Sequence, residues 1–297
     1  MKIYKSKISS IAILVIVMGL SGCSGSNSAT TTTTTTIVLE KPFGVSLLSQ
    51  SLPSALELPS GWTASGTAEN SSSGALEPKS GKGFGVCGGP NRDMLLQQFG
   101  VVAWAWSPSL QPEKGGYAYI STFEFPTAEA AKNFIETTAS QASCGSLTHE
   151  AVELGEGVTP SKNSKTPRFD GFSGSDNSTK WEVRESYTVG GKLASSTSTG
   201  ITTQTDTEYI AKIYGKTYGQ SERIVAAFEQ HLNVVIRYSL IGDCCVYGYS
   251  NSEASKEDLR SSLSDLNVMA EQFRPAILKK LGLSVNENAP TSSNVTN

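Results

Sequence analysis

The strongest repeat along the chain has a period of two. Trp181, Val183, Tyr187 and Val189 alternate with Lys180, Glu182, Arg184, Ser186 and Thr188. Such alternation predicts a strand with one face on a core and the other in water. Gly190-Gly191 follows and predicts a two-residue hairpin with residues 192–198 as the returning strand. Over residues 117–125, Tyr117, Tyr119, Phe123 and Phe125 share one face, with Thr122 and Glu124 opposite. Residues 101–106 predict its partner, across a loop holding Pro108, Pro112 and Gly115-Gly116. Residues 209–214 and 223–228 read as further strands. Val234, Ile236, Tyr238 and Leu240 line one face of the next, and Arg237 and Ser239 the other. The short gaps make these strands antiparallel neighbours.

A helical period interrupts the strands. Thr127 can cap a helix whose stripe is Ala131, Phe134, Ile135, Thr138 and Ala142. A longer stripe, Leu259, Leu263, Leu266, Ala270, Phe273 and Ile277, predicts a C-terminal helix capped by Ser255 with Asp258 three residues on. Pro275 should kink or restart it, and Gly282 should end it. A short helix is expected around Met94–Phe99, opened by Asn91 and stopped by Gly100. Residues 43–58 carry Val45, Leu47, Leu48, Leu52, Leu56 and Leu58, which predicts a short helix plus extended chain against the core. Pro59-Ser60-Gly61-Trp62 reads as a turn, and residues 63–80 and 153–174 as loops. Strands followed by an amphipathic helix occur twice. The expected fold is therefore α+β: one domain, an antiparallel sheet with two amphipathic helices packed against it, and short extra N-terminal helices.

The N-terminus has a different pattern. Lys2, Lys5 and Lys7 precede an apolar run over residues 8–20, which ends in Leu20-Ser21-Gly22-Cys23. That run is shorter than the roughly 20 residues a permanent membrane span needs. It predicts a signal peptide of residues 1–22, and the last four residues match a bacterial lipobox. Cys23 is then the acylated (palmitate-bearing) first residue of the mature chain. The protein is expected at the cell membrane, lipid-anchored on the extracytoplasmic face. Residues 23–37, with a threonine tract at 30–36, read as a linker. Residues 38–283 read as the folded domain and 284–297 as a disordered tail. Losing the signal's three lysines leaves 21 basic against 27 acidic side chains. With no basic block, nucleic acid is not an expected partner. The partners expected are the membrane, through the anchor, and a small molecule or envelope protein.

Beyond Cys23 the cysteines are Cys87, Cys144, Cys244 and Cys245. Outside the cytoplasm they should form disulfides, with three connectivities open. Cys87–Cys144 is favoured, with Cys244–Cys245 a vicinal bridge or reduced. Gly83, Gly85 and Gly88 fit G-x-G-x-x-G, but no strand precedes them. A turn around a cysteine explains them better than a dinucleotide site. His149 and His231 are the only histidines, and His231, at a predicted strand turn, reads as solvated. The mature chain has no G-x-S-x-G elbow and no His or carboxylate cluster at metal spacing. No catalytic residue, metal or cofactor is therefore expected. Trp104, Trp106, Tyr117, Tyr119, Tyr209 and Tyr214 are the candidate ligand-binding residues, as aromatic walls of a pocket.

Several of these features occur together in a known family. They are the lipobox, Pro59 to Trp62, a cysteine before the first strands, an aromatic strand and Ala-rich helix ending in Cys144, and Asn233-Val234-Val235-Ile236 before a last helix. Over roughly residues 43–282 the chain resembles actinobacterial cell-envelope lipoproteins. More distantly, it is similar to the extracellular sensor domain of PknH-type receptor kinases. The resemblance implies an antiparallel sheet flanked by helices, two disulfides and a cleft for an unknown ligand. The adjacent Cys244-Cys245 departs from the well-separated pairs of that pattern. A PsbP-like lipoprotein fold is a second α+β resemblance. The expected function is a non-catalytic sensor or binding module for a small apolar or envelope-derived molecule or a protein partner. The alternatives are a cell-wall hydrolase and a structural surface antigen.

Overall fold

The computed structural model describes residues 42–71, 96–113, 116–141, 145–150, 153–154, 171–189, 192–213, 216–247 and 262–283, all within the unit Leu39–Asn297. The signal peptide, Cys23, the linker, the G-x-G-x-x-G stretch, Gly190-Gly191, Ser255 and the tail lie outside the described residues.

The described strands form a single, mostly antiparallel sheet with a few helices. In chain order they are β1 (Trp62–Ser65), β2 (Glu69–Ser71), β3 (Ala103–Trp106), β4 (Ser109–Pro112), β5 (Tyr117–Glu124), β6 (Gly145–His149), β7 (Glu153–Leu154), β8 (Gly171–Val189), β9 (Lys192–Ile213), β10 (Lys216–His231) and β11 (Val234–Tyr247). Their spatial order is β1-β4-β5-β11-β10-β9-β8-β6. The pair β2–β3 joins beside β5, and β7 runs parallel to β9. The helices are α1 (Gly44–Ser51), α2 (Ala128–Gln141) and α3 (Leu263–Lys280). Among the described residues no helix is long and apolar enough to cross a membrane.

Both faces of the central strands are buried, and alternate residues serve different helices. On one face Phe123, Phe125, Ala226, Phe228 and Val235 pack with Ala131, Phe134, Ile135 and Ala139 of α2. Phe134 is the hub, with ring centroids at 5.1 Å from Phe125, 6.2 Å from Phe228 and 6.4 Å from Phe99 and Phe123. Thr127 caps α2 as its side chain suggests, its Oγ1 accepting from the Ala130 N–H at 3.0 Å. On the opposite face the buried Glu124 accepts from the Phe43 and Gly44 N–H groups at 2.9 and 2.8 Å. A carboxylate there satisfies orphan donors at the start of α1 and meets the positive end of the helix.

Both predicted helix stops hold. Val101 N–H donates to Leu96 C=O and Gly100 N–H to Gln97 C=O, with Gly100 at φ +71°. Leu283 to Leu278 and Gly282 to Lys279 repeat the pattern at the end of α3, with Gly282 at φ +73°. Both are Schellman closures, whose C′ position needs a left-handed residue.

The structure corrects several local expectations. Strands β1 and β2 occupy part of the expected loop 63–80, and β4 lies in the loop between β3 and β5. Strand β8 starts at Gly171, well before its alternating segment, and β9 runs unbroken from Lys192 to Ile213. The hydroxyl-rich halves of β8 and β9 pair with each other from Gly171↔Ile210 to Val189↔Lys192. Cross-strand bonding, more than side-chain preference, sets those strands. The N-cap of α3 is Ser262, in extended conformation, with its side chain accepting from the Asp265 N–H at 3.1 Å. The helix therefore starts one turn or more beyond the expected cap. Leu263 and Leu56, expected against the core, are exposed. Pro275 sits inside α3 without ending it.

Candidate functional site

A concavity opens at one corner of the sheet, where β1, β4 and the start of β5 meet. Its volume is about 610 Å³. Two glycines form its frame. Gly61 closes the Pro59–Trp62 turn at φ +83°, with the Trp62 N–H donating to Pro59 C=O at 3.2 Å. Gly116 enters β5 at φ +86°, and a Cβ there would stand 2.9 Å from the Ile241 carbonyl oxygen. Any side chain at either position is strained.

Two aromatic residues belong to this corner, on opposite faces of the sheet: Trp62 shares a face with Leu110 and Ala118, and Tyr117 projects from the other, the face of Thr63 and Gln111. Trp62 is half-buried and held from below by α3. Its ring meets Phe273 edge-on at 5.3 Å and 83°, and its Nε1–H donates to Gln272 Oε1 at 3.1 Å. Tyr117, the first residue of β5, is 43% exposed. The β1–β4 pairing aligns Thr63 with Gln111 and Trp62 with Pro112. Glu113 lies beside Gly61, its Oε2 3.3 Å from where a Gly61 Cβ would stand. The cleft thus combines an exposed tyrosine ring with an amide, a hydroxyl and a carboxylate, the make-up of a small-molecule site.

A second, smaller hollow of about 210 Å³ lies over β6, β8, β9 and β10. Hydroxyl groups and the carboxylates Asp206, Glu208 and Glu222 line it. Asp206 is engaged by Arg223 Nε at 2.5 Å and by Gln204 Nε2 at 2.9 Å. Among the described residues no three His, Cys, Asp or Glu side chains are arranged to hold a metal.

A buried charge cluster lies elsewhere, between β10 and α3. Glu229 is 1% exposed. Arg274 Nε donates to its Oε2 at 2.8 Å, and Arg274 Nη2 donates to its Oε1. His231 Nε2 lies 3.3 Å from the same Oε2. Burial alone pushes the Glu229 carboxyl up, but the hydrogen bonds from Arg274 and His231 outweigh it and lower it from 4.5 to about 2. His231 is fully buried, which corrects the expectation of a solvated histidine. It faces Glu229 on its own strand, and that carboxylate is held in turn by Arg274 far along the chain, which a local reading of the sequence misses.

The aromatic candidates separate in space. Trp104 (8% exposed) and Trp106 stand 5.4 Å apart on the α2 face, Trp104 within the core cluster. Tyr117 lines the cleft, and Tyr119 is half-buried two residues along the same strand. Tyr209 lies in β9 opposite Phe172 and Gln220, and Tyr214 is outside the described residues. Trp62, Gln111 and Glu113 escaped the sequence reading. The only local signal was a tryptophan straight after a Pro-Ser-Gly turn. Cys87 and Cys144 lie outside the described residues. In β11, Cys244 pairs with Ser221 and Val246 with Gln220. Cys245 is the extra residue of a β-bulge.

No protein-family model and no curated protein matches this chain. Among solved structures it is similar to the extracellular domain of PknH from Mycobacterium tuberculosis, with 14% identity, a TM-score of 0.35, and coverage of 81% of this chain and 97% of that one.

Proposed function

We propose that this protein is an extracytoplasmic lipoprotein that binds a small envelope-derived molecule without transforming it. Acylated Cys23 holds it to the membrane, and residues 23–37 act as the tether. The α+β body, a sheet with two amphipathic helices and a short N-terminal helix against it, serves as a rigid scaffold. The observation that carries this reading is the corner cleft, where the exposed Tyr117 ring stands with Thr63, Gln111 and Glu113 on a floor of paired strands. A site fixed before binding loses little entropy when a ligand arrives.

The hydrolase alternative needs a nucleophile beside a base that reaches substrate. His231 does not meet that need, because it is sealed from solvent against Glu229. The binding reading is tested by incubating the full chain with an extract of its own envelope and identifying retained small molecules by mass spectrometry. A molecule enriched on the parent protein and lost from Tyr117→Ala is the expected result. Equal retention by both, or none, contradicts it.

A further inference from the structure

We propose that the ligand of the corner cleft is a neutral saccharide, an inference that rests on the cleft being the binding site. Tyr117 offers an exposed aromatic ring at the cleft. A pyranose presents an apolar disc of C–H bonds rimmed by hydroxyl groups, and an aromatic face covers that disc at little cost in conformational freedom. Tyr117 keeps 43% of its surface open to an incoming molecule.

A polar set accompanies the ring. The Gln111 side chain both donates and accepts, the Thr63 hydroxyl does the same, and the Glu113 carboxylate accepts. Together they match the alternating donors and acceptors of neighbouring sugar hydroxyls. Glu113 also brings a negative charge. It is the only carboxylate among the described cleft residues, and it disfavours phosphates and fatty-acid headgroups. The shape of the cleft fits as well. At about 610 Å³ the cleft falls in the usual range for small-molecule sites, about 300–1,000 Å³. It is open to solvent and partly polar, so an alkyl chain would stay wet where an oligosaccharide would not suffer.

The test uses the full-length acylated protein in lipid nanodiscs. Isothermal titration is run against neutral oligosaccharides of glucose, galactose, mannose, arabinose and N-acetylglucosamine, and against 1-aminoanthracene as an apolar probe. The expected result is saturable binding of at least one saccharide, weakened about tenfold or more by Tyr117→Ala and by Gln111→Ala. Both variants should keep the parental melting temperature, since Tyr117 is exposed and Gln111 half-exposed. Saccharide binding that neither variant weakens overturns the assignment of the site. Binding of 1-aminoanthracene alone, lost in Tyr117→Ala, overturns the saccharide class and leaves the cleft as the site. Binding of neither overturns both.

Discussion

Arg274 of α3 and Glu229 of β10 are joined by two charge-assisted hydrogen bonds across 45 residues of sequence, at a carboxylate almost wholly out of water. It is a polar clamp between the C-terminal helix and the sheet, and α3 in turn holds Trp62. Breaking such a pair from one side leaves a buried charge uncompensated, which costs about 3–5 kcal/mol. Arg274→Met is therefore expected to lower unfolding stability by that order in urea melts. The double variant Arg274→Met/Glu229→Gln should recover part of the loss, and a Glu229→Gln change that is itself neutral would contradict the clamp.

The same pair makes stability depend on acid. The Glu229 carboxyl is held at about 2 in the folded protein against 4.5 ordinarily. A depressed folded value means stabilisation that is complete above about pH 4.5 and is lost as pH falls towards 2. The difference corresponds to about 3 kcal/mol. Glu57 is also drawn down to about 2, first by its hydrogen bond from Lys280 and then by Ser54. That carboxylate is exposed, so solvent screens the pair and it adds little. Urea melts between pH 2 and 6 should show stability rising with pH, and Arg274→Met should flatten most of that slope.

Gly200 lies opposite Trp181 in the β8–β9 register. A Cβ at Gly200 would stand 2.6 Å from the indole ring, whose Nε1–H donates to Thr202 Oγ1 at 3.1 Å. Gly200→Ala must therefore displace the ring and break that bond, with an expected loss of about 1–3 kcal/mol. In Trp181→Ala the same glycine change should be close to neutral, a coupling that a double-mutant cycle measures directly.

How much the sequence reveals follows from which forces are local. The Phe134 stripe, the Thr127 cap and the Gly100 and Gly282 stops are set within one or two helical turns, and each reads correctly. The segment Ser173-Gly174-Ser175-Asp176-Asn177-Ser178 has poor strand propensity. It becomes strand because β9 and, at one end, β6 supply hydrogen bonds to its backbone, and no local window shows that. The Glu229–His231–Arg274 group is likewise assembled by distant chain. In the cleft, Tyr117 stands out because the alternation of β5 places it. Gln111 and Glu113 look like ordinary loop residues until β4 pairs with β1.

The α2 face offers a packing test. Phe134 is fully buried among four other phenylalanine rings. Phe134→Ala removes the hub of that cluster and should cost about 3–5 kcal/mol. Phe134→Leu should recover much of the loss. A cost near zero for the alanine change, read from chemical denaturation, would mean that α2 does not pack on the sheet as described.

The account stands most directly on native mass spectrometry of the full protein taken from its own membranes. The prediction is a chain beginning at Cys23, heavier than its polypeptide by the acyl groups on that residue, and carrying a small non-covalent ligand that Tyr117→Ala releases. A polypeptide that still carries residues 1–22, without acyl groups and without a bound molecule, would contradict it.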